Sequence, residues 1–459
     1  MSRVQLCVLL ILAGSSVAAA TANDWKVDLN ARVRFESREQ TYTFNRKVSS
    51  VTDDSWWVTR FRAGLKGDLA PAVASYVQLQ DSREFGSRRS AVPFISGSEG
   101  DDPLDLRQAY VEFKVAEGVW RVGRQLLVMG EERLVGVSDW NNFARSFDAV
   151  RASWPGIGGG LDVFVSSVVR VQPGAHAGWH SNHSSRDDFF AGVYSRFAPA
   201  TTLKLEPYLL GRRARKEVVY NAGAAGSSRP YDIPQEIGTA GLRLIGGPPE
   251  KLGGFDYDID FALQYGRIRG RQLVGTTFAY PGPAWLDHRA AAFHGGLGYR
   301  VKLASAPVRF YAEANRASGD RNPTDGRSES FINHFPSNHR FYGRMDLFSW
   351  KNLREFALSA ATTLRQTRAR IEQHWFALDN VNDTWFRSNG TTMVRPLTAA
   401  ARQAARRAGR ETDLVLSHAF GQRTTVDLGF SYFAAGPYLV ATGGASDAHL
   451  AYLQATWQW

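Results

Sequence analysis

Residues 25–36 read Trp25-Lys26-Val27-Asp28-Leu29-Asn30-Ala31-Arg32-Val33-Arg34-Phe35-Glu36. Every odd position is apolar and every even position is polar or charged. A β-strand sends successive side chains to opposite faces, so this segment has one apolar and one ionic face. The run exceeds the ~5–6 residues of an ordinary strand and matches the ~9–11 that a tilted strand needs to cross a bilayer. The pattern recurs along the chain. Trp57, Phe61 and Leu65 oppose Arg60, Arg62 and Lys66; Phe255, Ile259 and Leu263 oppose Asp256, Asp258 and Asp260. Val308, Phe310 and Ala312 oppose Arg309 and Glu313, and Leu428 and Phe430 oppose Asp427 and Ser431.

The connections alternate in length. Short turns are expected at 67–72, 116–118, 155–160, 198–202, 246–254, 305–307, 366–367 and 421–424. Longer polar stretches at 37–54, 82–103, 130–145, 171–186, 215–236, 270–289, 318–353, 379–410 and 434–446 lie between them. Short turns at one end and long loops at the other are the mark of an outer-membrane barrel. The expected fold is therefore an all-β transmembrane antiparallel β-barrel of about 18 strands, with short periplasmic turns and long extracellular loops. The last strand, with Leu453, Ala455, Trp457 and Trp459 on one face, closes it. Within the loop 379–410, the Ala- and Arg-rich stretch 396–412 has helical propensity and is expected to carry a short surface helix.

The composition fits. A hydrophobic content of 44% in 459 residues is too rich for disorder, while a mean hydropathy of −0.30 excludes a bundle of apolar helices. Residues 1–22 read as a secretory signal: Arg3 precedes the apolar core 8–13, and small residues follow at 17–22. The mature chain is then 23–459, one outer-membrane barrel domain, without a cysteine because Cys7 is the only one. Disulfides and thiolate metal sites are excluded together. No cofactor, no metal site and no catalytic constellation is expected, since the ten His are scattered without a Ser/His/Asp arrangement. Interspersed basic residues behind a signal segment exclude a nucleic-acid partner.

The formal charge is +11, and the cations are 46 Arg against 9 Lys. An Arg at the lipid midplane costs about 2–4 kcal/mol, so parity sends the strand arginines inward. Carboxylates such as Asp28, Glu36, Asp256 and Glu372 share that face, so part of the set is expected to neutralise itself across strands. The remainder would present planar forks suited to carboxylate ligands.

Several blocks, in order along the chain, resemble the bacterial alginate export porin family. They include Asp105-Leu-Arg-Gln-Ala-Tyr-Val-Glu-Phe113, Arg121-Val-Gly-Arg124-Gln125, Gly130-Glu-Glu-Arg133-Leu-Val-Gly136, Trp140 to Arg151, Ala317 to Asp320 and His334 to Trp350. The resemblance implies an eighteen-stranded barrel whose arginine-lined constriction passes an anionic polysaccharide outward. It implies as partners the polymer itself (alginate or a similar uronate), outer-membrane lipids and lipopolysaccharide, and periplasmic export-complex proteins. The alternative is a diffusion porin for small anions or sugar acids. Residues expected to line the pore are Arg34, Arg60, Arg62, Arg121, Arg124, Arg151, Arg196, Arg243, Arg300, Arg309, Asp162 and Glu313. Arg124 is awkward: it shares parity with Trp120 and Val122, and only a bulge at Gly123 would turn it inward.

Overall fold

The computed structural model describes residues 25–49, 53–87, 102–156, 159–171, 182–215, 218–220, 230–247, 253–270, 272–274, 277–279, 282, 284–304, 306–395 and 397–459. The expected signal segment lies outside them. The strands are β1 (Lys26–Glu39), β2 (Asp54–Ala70), β3 (Val73–Phe85), β4 (Asp102–Val115), β5 (Gly118–Gln125), β6 (Phe147–Trp154), β7 (Leu161–Arg170), β8 (His183–Ser195) and β9 (Leu203–Ala214). They continue as β10 (Gln235–Gly246), β11 (Phe255–Ile268), β12 (Leu286–Leu303), β13 (Ala306–Ala317), β14 (Leu353–Leu364), β15 (Thr367–Leu378), β16 (Arg407–Phe420), β17 (Thr424–Ala435) and β18 (Ala448–Gln458). Two further segments join this sheet: Phe197–Ala200 prolongs β8 past a break at Arg196, and Arg327–Ser328 adds to the end of β12.

Each wall strand pairs antiparallel with the next, and β1 pairs with β18 from Asn30↔Gln458 to Glu39↔His449. The sheet thus closes into an eighteen-stranded barrel with no free edge. Turns as tight as Pro71–Ala72 and Ala116–Glu117 join strands at one end, while nine longer connections join them at the other. They are numbered here as loops 1 to 9 in chain order.

Parity holds along the wall. Val33, Phe61, Leu79, Val122, Phe261 and Leu263 face outward and are exposed, whereas Arg32, Arg60, Gln78 and Asp260 face inward and are buried. An outward apolar band against a polar interior is the solution lipid imposes on paired strands. Aromatic pairs such as Trp120–Trp154 and Phe255–Tyr299 lie toward the short-turn end, where an interfacial girdle belongs.

The stretch 396–412 departs from expectation. Its helix covers only Ala399–Gln403, capped by the Thr398 hydroxyl accepting from the Ala401 amide at 3.1 Å. From Arg407 onward it is β16, with Ala408 and Glu411 buried and Arg410 exposed. Pairing with β15 and β17 overrides the local helical preference.

The hydrophobic core is not a soluble core between layers. It sits inside the barrel at the long-loop end, where loops fold back into the lumen. Phe348 of loop 7 stacks on Phe376 of β15 at 4.0 Å and on Trp385 of loop 8 at 4.7 Å. Phe44 of loop 1 packs on Trp385 and Phe433, and Tyr438 of loop 9 meets Trp385 edge-on. Arg387 and Arg395 of loop 8 bind the carbonyls of Thr41 and Thr43 in loop 1, at 2.6 and 2.7 Å.

Candidate functional site

Loop 3, residues 126–146, folds against the inner wall of β1 to β3. Its apolar side chains Leu127, Leu134, Val135 and Phe143 are buried. Positive φ at Glu132, Ser138 and Ala144 marks the sharp reversals that fold it inside. It joins loop 7 through a short ribbon: Gly136 N donates to Phe335 O at 2.8 Å, and Phe335 N to Leu134 O at 2.8 Å. The Ser337 hydroxyl donates to Glu132 at 2.6 Å, and Arg340 pairs with Glu132 at 3.0 Å. A stack of three side chains ties strand β1 to loops 3 and 7. The Arg34 guanidinium lies 3.8 Å from the centroid of Trp140, and Trp140 stacks on His339 at 3.7 Å. Burial outweighs the neighbouring Asp346 and holds the His339 ring below its ordinary pKa, so the ring that stacks is neutral.

At the tip of loop 3 is Asp139. Its carboxylate accepts from Arg60 at 3.0 Å and Arg62 at 2.8 Å, and its carbonyl accepts from Arg32 at 2.8 Å. Arg107 of β4 is fully enclosed beside this group, and none of its three nitrogens has a hydrogen-bond partner among the described residues. Four guanidiniums from three strands thus surround one loop carboxylate. Protein atoms crowd around Asp139 and partly desolvate it, although 47% of its side chain is exposed. That desolvation would push the carboxyl up, but Arg60, Arg62, Arg32 and Arg107 together hold it well below the usual carboxylate range.

The expected pore residues fall into three groups. Arg34, Arg60 and Arg62 come together against the loop 3 residues Asp139 and Trp140; Arg34 also binds Glu36 at 2.6 Å. Arg243 and Glu313 meet the base of loop 3: Arg243 pairs with Glu206 at 3.0 Å and with Asp258, while Glu313 pairs with Arg133 at 3.4 Å. Arg121, Arg151, Arg196, Arg300, Arg309 and Asp162 line the lumen near the short-turn end. There Arg121 binds Glu112 at 2.7 Å, Arg151 and Arg196 share Asp162 at 2.8 and 2.7 Å, and Arg309 binds Asp256. Arg300 lies directly across from Arg309. Cross-strand neutralisation therefore takes most of the predicted arginines.

Arg124 is corrected. Gly123 has φ +125, but the pairing Val122↔Val150 and Arg124↔Asp148 continues without a shift. Arg124 keeps the outward parity of Trp120 and binds Asp148 at 2.8 Å near the long-loop end of the wall, outside the pore. Sequence reasoning missed Arg107, Asp139, Trp140 and Arg340. Arg107 sits where the register of β3 and β4 shifts between Gln78 and Leu79, so alternation could not place it. The others lie in aperiodic loops.

Glu131, Asp258 and His294 converge closely enough to hold a metal. Arg243 already pairs with Asp258, and Arg133 lies 3.2 Å from His294 Nε2, so two fixed cations occupy the polar space a metal would need.

With this geometry in hand, the comparisons with known proteins decide the family. The alginate export family model matches residues 24–452. The chain belongs to the alginate export family. No curated protein matches this family member. Among solved structures it is similar to Pseudomonas aeruginosa OpdK with vanillate, at 13% identity over 95% of this chain and 98% of that one, with a TM-score of 0.60. It is also similar to P. aeruginosa OccK5 (OpdH), at 11% identity and 0.56 over 95% and 98%, and to OccK3 (OpdO), at 15% and 0.55 over 95% and 96%. At such identities the likeness is one of fold. Family and barrel together make this family member an outer-membrane channel.

Proposed function

We propose that this channel passes an anionic, carboxylate-bearing polysaccharide, alginate or a similar uronate polymer, past a selective element in which Arg62 is the most accessible guanidinium and Arg32, Arg60 and the enclosed Arg107 add positive charge behind it. The observation that carries this reading is the four-to-one excess of guanidinium over carboxylate around Asp139. A fixed fork of N–H donors replaces part of the hydration of a passing carboxylate. The nearby acids Asp139 and Glu36 keep that binding weak enough for release. The 47% exposure of the Asp139 side chain supports a cluster open to a passing anion. On this reading the chemistry is binding and release.

A second reading, a diffusion porin for small anions or sugar acids, draws support from the loops packed into the long-loop half of the lumen, which narrow the passage. Uronate oligomers of increasing length, added to single channels in a planar bilayer, separate the two. Polymer passage predicts block events that lengthen with each added sugar. Passage of small anions alone predicts that monomers permeate, while longer oligomers leave the current unchanged.

A further inference from the structure

The outer wall carries a feature that transport does not use. Across β8, β9 and β10 the outward positions Ala191, Gly211 and Gly238 lie side by side in register, giving a row almost without side chains. The next outward row holds Val193, Leu209, Ala240 and Leu263, also in register, and Ala291 continues it on β12. Tyr265 and Arg289, cross-strand partners, close the far side. The result is an apolar trough of about 1090 Å³ in the membrane face of the barrel, at the upper end of the ~300–1,000 Å³ usual for small-molecule sites. Strands tilt in such barrels, so a row running across them descends obliquely into the bilayer.

The end of the trough toward the long loops is charged. Arg316 of β13 and Arg354 of β14 are direct cross-strand partners, and both bind the single carboxylate of Asp379, at 2.8 and 2.7 Å. Arg321 of loop 7 pairs with Glu329. The acids are the covered partners: side-chain exposure is 5% for Asp379 against 60% for Arg316 and 74% for Arg321. What faces outward there is guanidinium over an apolar slot.

We infer that this trough binds an acyl lipid of the outer leaflet whose head group carries phosphate. One acyl chain would lie along Ala191, Gly211 and Gly238, and the phosphate would meet Arg316, Arg321 and Arg354. Guanidinium suits phosphate by charge-assisted, paired hydrogen bonds, and the slot gives an acyl chain apolar contact that a row of leucines would deny. The inference rests on the membrane orientation of the barrel, not on its substrate.

The test uses the intact barrel in detergent, titrated with purified bisphosphorylated lipid A and with its dephosphorylated form, bound lipid being counted by native mass spectrometry. Gly211→Leu fills the slot, and a Cβ at Gly211 meets nothing within 4 Å, so the wall accommodates it. The account expects Gly211→Leu to weaken binding of both lipids about tenfold, through lost apolar contact. It expects Arg316→Gln/Arg321→Gln/Arg354→Gln to weaken the phosphorylated form about tenfold and the dephosphorylated form little. Should Gly211→Leu fail to assemble, the arginine variant, which alters only exposed side chains, carries the test alone. Equal binding by all variants overturns the proposal. So does loss in the arginine variant matched by inorganic phosphate competition with Gly211→Leu unaffected, which would mean a phosphate site without an acyl slot. Dimers cross-linked through Gly211→Cys would assign the face to a second copy of the chain and overturn it equally.

Discussion

Asp139 and Arg62 meet at 2.8 Å across 77 residues of sequence, a loop tip held against the inner wall. This contact fixes where loop 3 stands in the lumen. It also places a carboxylate belonging to the protein where the carboxylate of a transported anion would bind. The predictions below follow from that double role.

Asp139→Asn removes the one negative charge among four guanidiniums. A unit charge at 4 Å is worth about 1 kcal/mol in water, or roughly fivefold. Anion preference should rise by about that factor, read as a shift in zero-current potential across a salt gradient. An unchanged potential would move the filter away from this cluster.

Arg60→Gln/Arg62→Gln works in the opposite sense. Two fixed cations are lost and loop 3 loses its anchor. Anion preference should fall by roughly thirtyfold on the same electrostatic scale, while the barrel still shows the heat-modifiable gel mobility of a folded outer-membrane protein. The periplasmic-side pair Arg151 and Asp162, changed together to Gln and Asn, should leave selectivity nearly intact, because its charges already cancel.

Trp140→Ala breaks the column Arg34–Trp140–His339. Cation–π and ring stacking contribute about 1–3 kcal/mol together. Loop 3 amides should exchange with deuterium roughly tenfold faster, while the wall strands stay protected. Unaltered exchange would show that the apolar residues Leu127 and Val135 alone hold the loop.

The pH response has a defined sign. The folded carboxyl of Asp139 is depressed below its unfolded value of about 3.9. Its contribution is therefore present above that value and is lost only as pH falls through the lower, folded pKa. The difference in anion preference between wild type and Asp139→Asn should hold steady from pH 7 to about 4 and vanish only in stronger acid. A transition near pH 6 would point to a different titrating group.

Wall and filler differed in how far the sequence revealed them. Strand parity in Trp25 to Glu36 was enough to place Arg32 and Arg34 inside, because lipid on one face and water on the other enforce a strict period of two. Parity also placed Arg124 correctly on the outside, where its membership of a family block pointed inward. The filler obeys no period. Trp140 and Asp139 lie in a loop whose path is set by left-handed residues and by contacts with His339 and Arg62, all distant in sequence. Arg107 was hidden by a register shift in β4, and 407–412 by an Ala-rich composition that strand pairing overruled.

The central claim is that unequal charge at the loop 3 constriction selects anions. It is tested most directly by the zero-current potential of the wild-type protein in a planar bilayer under a potassium chloride gradient. The account predicts a potential of the sign set by chloride, collapsing toward zero in Arg60→Gln/Arg62→Gln. A cation-selective potential in the wild type, or one indifferent to those two substitutions, would contradict it.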